Sequence, residues 1–289
     1  MNAALIISIS SAIFFGLIAI AVSLRKDRKE KSLGRSTGSS RYSSVEEEFV
    51  HMMVHELRAP LTSVKDASEL LITSSTSLTE EEKGQFLKII NRQSKALLEQ
   101  ISEILDAAKF ESGAFVLEKK NENVQELISE RIKMFEPQAA KKQISISSHI
   151  DPLPLVYLDC LRIDQVLNNL ISNSIKFTPP GGKVAIEAKL AGENVEISVS
   201  DTGIGIDKDV QGKIFSKFYQ ARSPLRQEEG SGTGLGLYIV KKIIDAHKGT
   251  IALESAGGKG TVMKFSLPIQ EQVQVKEDNP LSAQYTMPN

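Results

Sequence analysis

The sequence predicts an α+β protein with an N-terminal transmembrane helix, a helical hairpin that becomes a four-helix bundle as a dimer, and an α/β sandwich. Three features point there. Residues 3–24 carry no charge, residues 45–112 repeat apolar side chains at helical spacing, and beyond Phe115 helical and alternating patterns interleave. The 289 residues leave room for roughly two globular domains. Lysine and arginine number 35 against 36 acidic residues, a net charge of −1, so no global basic field is present to attract nucleic acid. The single cysteine, Cys160, excludes an intrachain disulfide and zinc sites built from paired cysteines.

From Ala3 to Leu24 the chain is long enough to cross a hydrocarbon core as a helix. Twelve of these residues are Leu, Ile, Phe or Val, contributing about −4 to −7 kcal/mol toward insertion. A cleaved signal peptide is the rival reading, since Ala19-Ile20-Ala21 resembles a cleavage site, but no charged region precedes the apolar run. Arg25, Lys26, Arg28, Lys29 and Lys31 follow it, so the anchor (1–24) is expected to be single-pass in the cytoplasmic membrane, with everything after it in the cytoplasm. Residues 25–44, basic and then rich in Ser and Gly, read as a flexible linker. Anchor and linker leave no room for a folded sensor, so input is expected through the membrane segment, the linker or a partner.

In the first helix of the hairpin, Val50, Met53, Leu57, Leu61, Val64 and Leu71 share one side, and Glu48, His51, His55, Thr62, Asp66 and Glu69 the other. The second opens at Thr79 with Glu82 three residues on, a capping box, and carries Phe86, Ile90, Leu97, Ile101, Ile104 and Ala108. It is expected to end at Ser112-Gly113. Two such helices leave apolar stripes uncovered, which a homodimeric bundle would bury; packing of the hairpin on the C-terminal domain is the alternative. In that domain (115–269) helices are expected at Val124–Lys141, Cys160–Phe177 and Leu235–His247. Strands are expected at Ile144–Ile150, Lys183–Ala188, Val195–Ser200, Thr250–Ser255 and Thr261–Leu267. Residues 270–289 lack periodicity and read as a disordered tail.

Four groups of residues suggest chemistry. His55 lies opposite the apolar stripe, beside Glu56, whose carboxylate can hold one ring nitrogen protonated while the other stays nucleophilic. Pro60 removes the hydrogen bond to the carbonyl of Glu56 and weakens the helix there. Asn169 and Asn173 share a helical face, with Lys176 and Phe177 one turn on. Neutral amides hold magnesium poorly unless phosphates supply charge, and Lys176 would meet the same phosphates. Asp201 ends an alternating strand, where it can accept from a base amine, and Gly203 and Gly205 allow close backbone approach. The run Gly230-Ser231-Gly232-Thr233-Gly234-Leu235-Gly236-Leu237 precedes a helix, whose N–H groups and dipole can receive phosphates. No strand precedes those glycines and no G-x-x-x-x-G-K-[ST] string occurs, so the dinucleotide and P-loop readings fail.

In order along the chain, these residues resemble the boxes of bacterial sensor histidine kinases. The run from His55 to Leu61 resembles the H box, Asn169 to Thr178 the N box, Asp201 to Ile206 the G1 box, Ile214 to Tyr219 the F box and Gly232 to Leu237 the G2 box. The resemblance runs from about Val45 to Pro268. It implies a Bergerat ATP-binding fold using ATP and magnesium. Asp201 would bind the adenine amine, Gly203 and Gly205 would shape its pocket, and Thr261 would join it. Asn173 with Asn169 would ligate magnesium, and Lys176 would contact phosphate. Gly232, Gly234 and Gly236 would close over the triphosphate, with Phe177, Thr233 and Leu235 in the same nucleotide-binding boxes. Gln220 to Ser231 resembles a mobile lid, where Arg222 or Arg226 would orient the γ-phosphate.

The resemblance further implies that His55 attacks the γ-phosphorus with Glu56 as base or orienter, and that the phosphoryl group passes to an aspartate of a separate response regulator with a receiver domain. Family members that also dephosphorylate their regulator typically carry Thr or Asn four residues after the histidine, where this chain has Ala59. Two other readings compete: a Bergerat-fold ATPase without phosphotransfer, and a membrane-tethered scaffold that binds ATP weakly.

Overall fold

The computed structural model describes residues 39–74, 76–220 and 233–269. The expected membrane anchor (1–24), residues 25–38 of the linker and the tail (270–289) lie outside the described residues. Among the described residues no helix is long and apolar enough to cross a membrane.

The chain divides into two compact units, Met1–His55 and Glu56–Asn289. The described part of the first is helical throughout, belonging to α1 (Ser39–Thr73). Helix α1 thus begins six residues before the expected boundary, so residues 39–44 are helical. No Gly or Pro interrupts 39–44, and once the apolar stripe has nucleated a helix each further residue adds a hydrogen bond at little cost.

In the second unit α1 continues through Pro60 to Thr73. Helix α2 (Glu80–Ser112) starts at the expected capping box: Thr79 Oγ1 accepts from Glu82 N at 3.2 Å, and the Glu82 carboxylate accepts from Thr79 N at 2.8 Å. It stops at Gly113, whose φ of 70° is open to glycine at no steric cost.

The remainder is a five-stranded sheet with helices on one face, and a separate two-stranded ribbon. Helix α3 (Val124–Lys141) is capped by Asn123, and α4 (Cys160–Phe177) by Asp159, whose carboxylate accepts from Arg162 N. Strands β2 (Ser145–Ile150), β4 (Lys183–Ala191), β5 (Asn194–Asp201), β7 (Thr261–Pro268) and β6 (Thr250–Ser255) form a mixed sheet ordered β2-β4-β5-β7-β6. The pair β2 and β4 is parallel and the rest are antiparallel. Val184, Ile186 and Ala188 of β4, Val195, Ile197 and Val199 of β5, and Met263, Phe265 and Leu267 of β7 alternate into the core. Helix α4 fills it with Ile163, Val166, Leu167, Leu170, Ile171 and Ile175, and α6 (Gly236–Ala246) with Ile239, Val240, Ile243 and Ile244.

Three short elements escape a reading of periodicity. Strands β1 (Lys120–Glu122) and β3 (Val156–Leu158) pair with each other, and α5 (Lys208–Gln211) is a single turn. Three or four residues are too few for any period to register, so pairing decides them.

His247, 2% exposed, ties α6 to α4. Its Nε2 accepts from Asp159 N at 3.0 Å, and its Nδ1 lies 2.9 Å from the Ile243 carbonyl, to which it donates. A ring that accepts at Nε2 must be neutral, and burial holds its pKa below the ordinary 6.5, with the nearby Lys119 acting in the same direction and Asp159 in the opposite one. In the unfolded chain the ring takes up a proton below about pH 6.5, while in the folded chain it resists. Its share of stability is therefore complete above that pH and declines as the pH falls. Urea unfolding midpoints are expected to drop from pH 7.5 to pH 5.5, with a smaller drop in His247→Gln; equal drops would exclude this role.

Candidate functional site

Asp201 sits at the last position of β5, directly opposite Thr261 on β7. Its Oδ1 accepts from Gly203 N at 2.9 Å and Thr261 N at 3.2 Å, and the Ser174 side chain of α4 bonds the same carboxylate. Burial pushes its carboxyl above the usual range, and the bonds from Gly203, Ser174 and Thr261 pull it partly back. The carboxylate is held in one orientation, at a cost in hydration. Ser174 was not among the expected site residues. Its signal was a polar side chain three residues after Ile171 and one before Ile175, on the apolar face of α4, where it is buried.

Around Asp201 the backbone closes tightly. Ile204 N donates to the carbonyl of Phe177 at 3.2 Å and Ile204 O accepts from Gly258 N at 2.7 Å. A Cβ on Gly203 would press on the Phe177 carbonyl, and one on Gly205, at φ 68°, would overlap the carbonyl of Ala256. The room these glycines leave is taken by the chain itself, so they shape the pocket wall rather than open it directly to a ligand. Thr261 Oγ1 pairs with Ser255 Oγ at 3.1 Å, and Ser255 Oγ also accepts from Ile206 N.

On α4, Asn173 Nδ2 donates to Asn169 Oδ1 at 3.0 Å. A Cβ on Gly236 would overlap the Asn169 amide, so the first residue of α6 lies against the asparagine face. Lys176 lies one turn beyond Asn173 with its Nζ 5.5 Å from the Phe177 ring centre. The last carbonyls of α4, those of Ile175 and Lys176, accept from Lys142 Nζ at 3.0 and 2.6 Å. Gly234, at φ 69°, packs on Phe218 and accepts from its N–H at 3.0 Å, joining the 214–219 segment to the glycine-rich one. Leu235 is fully buried, and its N–H donates to Thr233 Oγ1 at 3.1 Å.

The structure therefore brings Asn169, Asn173 and Gly236 together, and Phe177, Asp201, Gly203 and Thr261 together, with α4 common to both groups. His55 and Glu56 lie on α1, one turn before Pro60. Gly232, and residues 221–231 of the expected lid with Arg222 and Arg226, fall outside the described residues.

A further set of contacts joins α2 to the sandwich. Asp106, almost fully buried, accepts from Arg162 at 2.7 Å and from Gln165 at 3.0 Å. Phe110 stacks on Phe115 at 3.8 Å, with the Arg162 guanidinium 4.9 Å from the Phe115 ring centre. Lys217 pairs with Glu111, and Thr233 Oγ1 donates to Glu103 at 2.5 Å. The C-terminal part of α2 thus packs on the domain. None of these pairs was legible in the sequence, because each joins positions about 50 or more residues apart or lies across a turn whose path is set by tertiary packing.

Residues 45–113 match the family described as His Kinase A (phospho-acceptor) domain. Residues 158–271 match the Histidine kinase-, DNA gyrase B-, and HSP90-like ATPase family. The circadian input-output histidine kinase CikA of Synechococcus elongatus is 33% identical over 236 residues, covering 81% of this chain and 31% of its own. The sensor histidine kinase GacS of Pseudomonas protegens is 36% identical over 246 residues, covering 82% of this chain and 26% of its own. The chain spans a third or less of the length of these two relatives. Among solved structures, the histidine kinase ThkA in complex with the response regulator protein TrrA is 30% identical with a TM-score of 0.57, the match covering 86% of this chain and 67% of that one. With the two matched domains in this order, on this fold and around this site, the chain belongs to the histidine kinase family, whose ATPase domain uses ATP, normally with magnesium.

Proposed function

We propose that the chain is a membrane-anchored sensor kinase that autophosphorylates at His55 from ATP and passes the phosphoryl group to an aspartate in the receiver domain of a separate response regulator. The observation that carries this reading is the convergence on α4 of a half-buried, oriented carboxylate and an asparagine face against a glycine-rich helix start. The donors fit the nucleotide. Asp201 is a half-buried acceptor suited to a base amine, with Gly203, Gly205 and Thr261 around it. Asn169 and Asn173 offer hard amide oxygens suited to magnesium that arrives with phosphates. Lys176, Gly232, Gly234 and Gly236, with Phe177, Thr233 and Leu235, complete the nucleotide-binding set. Bound ATP with magnesium supplies an electrophilic phosphorus and a neutralised leaving group.

The protein's part is positioning and proton handling. His55 is the nucleophile through one ring nitrogen. Glu56, its neighbour in the chain, orients the ring or takes its proton. We read residues 45–112 as the dimerisation and phosphotransfer hairpin and 115–269 as the catalytic domain. Leu61, Leu87 and Leu98 are 57%, 58% and 66% exposed on α1 and α2, which supports a second copy of the hairpin completing a four-helix bundle. The apolar run 3–24 supports the membrane anchor, and the solved ThkA–TrrA complex of a relative supports the regulator as partner.

Incubating the full chain with γ-labelled ATP and magnesium is expected to give acid-labile label that His55→Gln reduces to background. Label surviving that substitution would refute the site, and ATP turnover without label would favour an ATPase lacking phosphotransfer. The carbonyl of Ala59 accepts from Ser63 Oγ at 3.2 Å, and its methyl side chain offers no hydroxyl at position 59 to orient water. Ala59→Thr is expected to speed dephosphorylation of the cognate phospho-regulator by about tenfold or more; an unchanged rate sinks this explanation. Because the Asp201 pKa is raised, the ionised carboxylate costs stability as the pH rises above the ordinary 3.8. At pH 7, Asp201→Asn is therefore expected to keep or raise the melting temperature while weakening ATP binding about tenfold or more. A variant that melts lower and binds ATP normally would contradict both roles.

A further inference from the structure

We propose that Glu103 of α2 is a latch opposed to nucleotide: its carboxylate, seated on Thr233, ties the hairpin to the glycine-rich loop, and entry of a triphosphate there opens this one contact. This rests on the reading above that the loop receives phosphates. The contact is direct. Glu103 accepts from Thr233 Oγ1 at 2.5 Å, and the same oxygen already accepts from Leu235 N at the start of α6. The latch thus holds the side chain that organises the first turn of the phosphate-side helix.

The charges oppose each other. A helix start attracts anions through its N–H groups and dipole, and here α2 brings a carboxylate to that place. Glu99, Glu103 and Asp106 are spaced at i, i+4 and i+7, on one face of α2. Asp106 and Glu111 each face a cation, Arg162 and Lys217, whereas Glu103 meets a neutral hydroxyl. Burial, with the like charges of Glu99 and Asp106, pushes the Glu103 carboxyl upward against the pull of the Thr233 bond. Phosphates brought to the same loop add negative charge beside a carboxylate that is already poorly neutralised. The Asp106, Phe110 and Glu111 contacts do not involve Thr233, so they hold α2 nearby while the Glu103 contact opens and closes.

Coupling of this kind is reciprocal: whatever docking costs the nucleotide, the nucleotide costs docking. The test compares the full chain with its Glu103→Gln and Glu103→Ala variants, titrated with adenylyl imidodiphosphate plus magnesium and separately with adenosine. Both variants are expected to bind the triphosphate analogue about fivefold more tightly, with adenosine affinity equal in all three. Glutamine keeps shape and acceptor while losing charge; should either variant misfold, the other decides. Wild type that binds the analogue no more weakly than the variants overturns the latch, and so does an equal gain for adenosine. Wild type that binds neither ligand overturns the nucleotide reading of the loop itself, and the latch with it.

Discussion

Helix α4 presents Ile163, Val166, Leu167, Leu170, Ile171 and Ile175 to the core, and that stripe sets the rotation of the helix about its axis. Each of these side chains is worth about 1.5–3 kcal/mol of burial, so turning the helix by even one position would expose several at once. Asn169, Asn173 and Ser174 gain their directions from this constraint. Ser174 points inward to Asp201, and Asn169, which accepts from Asn173, faces the start of α6. The site is a by-product of how one amphipathic helix seats on β5.

Around that helix, polar groups are satisfied by partners distant in sequence. The N-terminal end of α4 is tied to α6 by the Asp159 N–H on His247 and to the segment before β1 by the Asp159 carboxylate, which accepts from Glu118 N at 2.9 Å. Its C-terminal carbonyls are met by Lys142. Buried polar groups without such partners would cost about 1–3 kcal/mol each. These ties hold the two ends of α4, while the residues that would touch nucleotide lie between them, on a segment fixed by packing.

The buried face of α2 couples the hairpin to this frame. Asp106 and Ala107 are buried, and Phe110 stacks on Phe115. The hairpin therefore has two kinds of apolar surface: one already covered by the sandwich near its C-terminal end, and one still exposed along Leu61, Leu87 and Leu98. A helix that serves both a bundle and a domain face can transmit a change at either to the other, because packed side chains repack in discrete arrangements rather than deforming smoothly.

Long periodic segments were legible without coordinates. Helices α3 and α4 begin and end where their period puts them, at Val124–Lys141 and Cys160–Phe177, and the capping box at Thr79 starts α2. Strands β4, β5, β6 and β7 follow from alternation, because side chains two apart must share a face. The boxes pointed to Asp201, Asn169 and Asn173, since carboxylates at strand ends and amides on one helix face are local patterns. The start of α1 at Ser39, the strands β1 and β3, the inward bond of Ser174 and every pairing of α2 with the sandwich were not legible. By itself the sequence determined which segments are helices and strands and which residue types are grouped for phosphate chemistry, because those depend on neighbours within a turn or two. Only the tertiary structure decided what fills the space beside Gly203 and Gly205, what orients Asp201 and what Thr233 touches, because a hydrogen bond between residues 103 and 233 has no local signature.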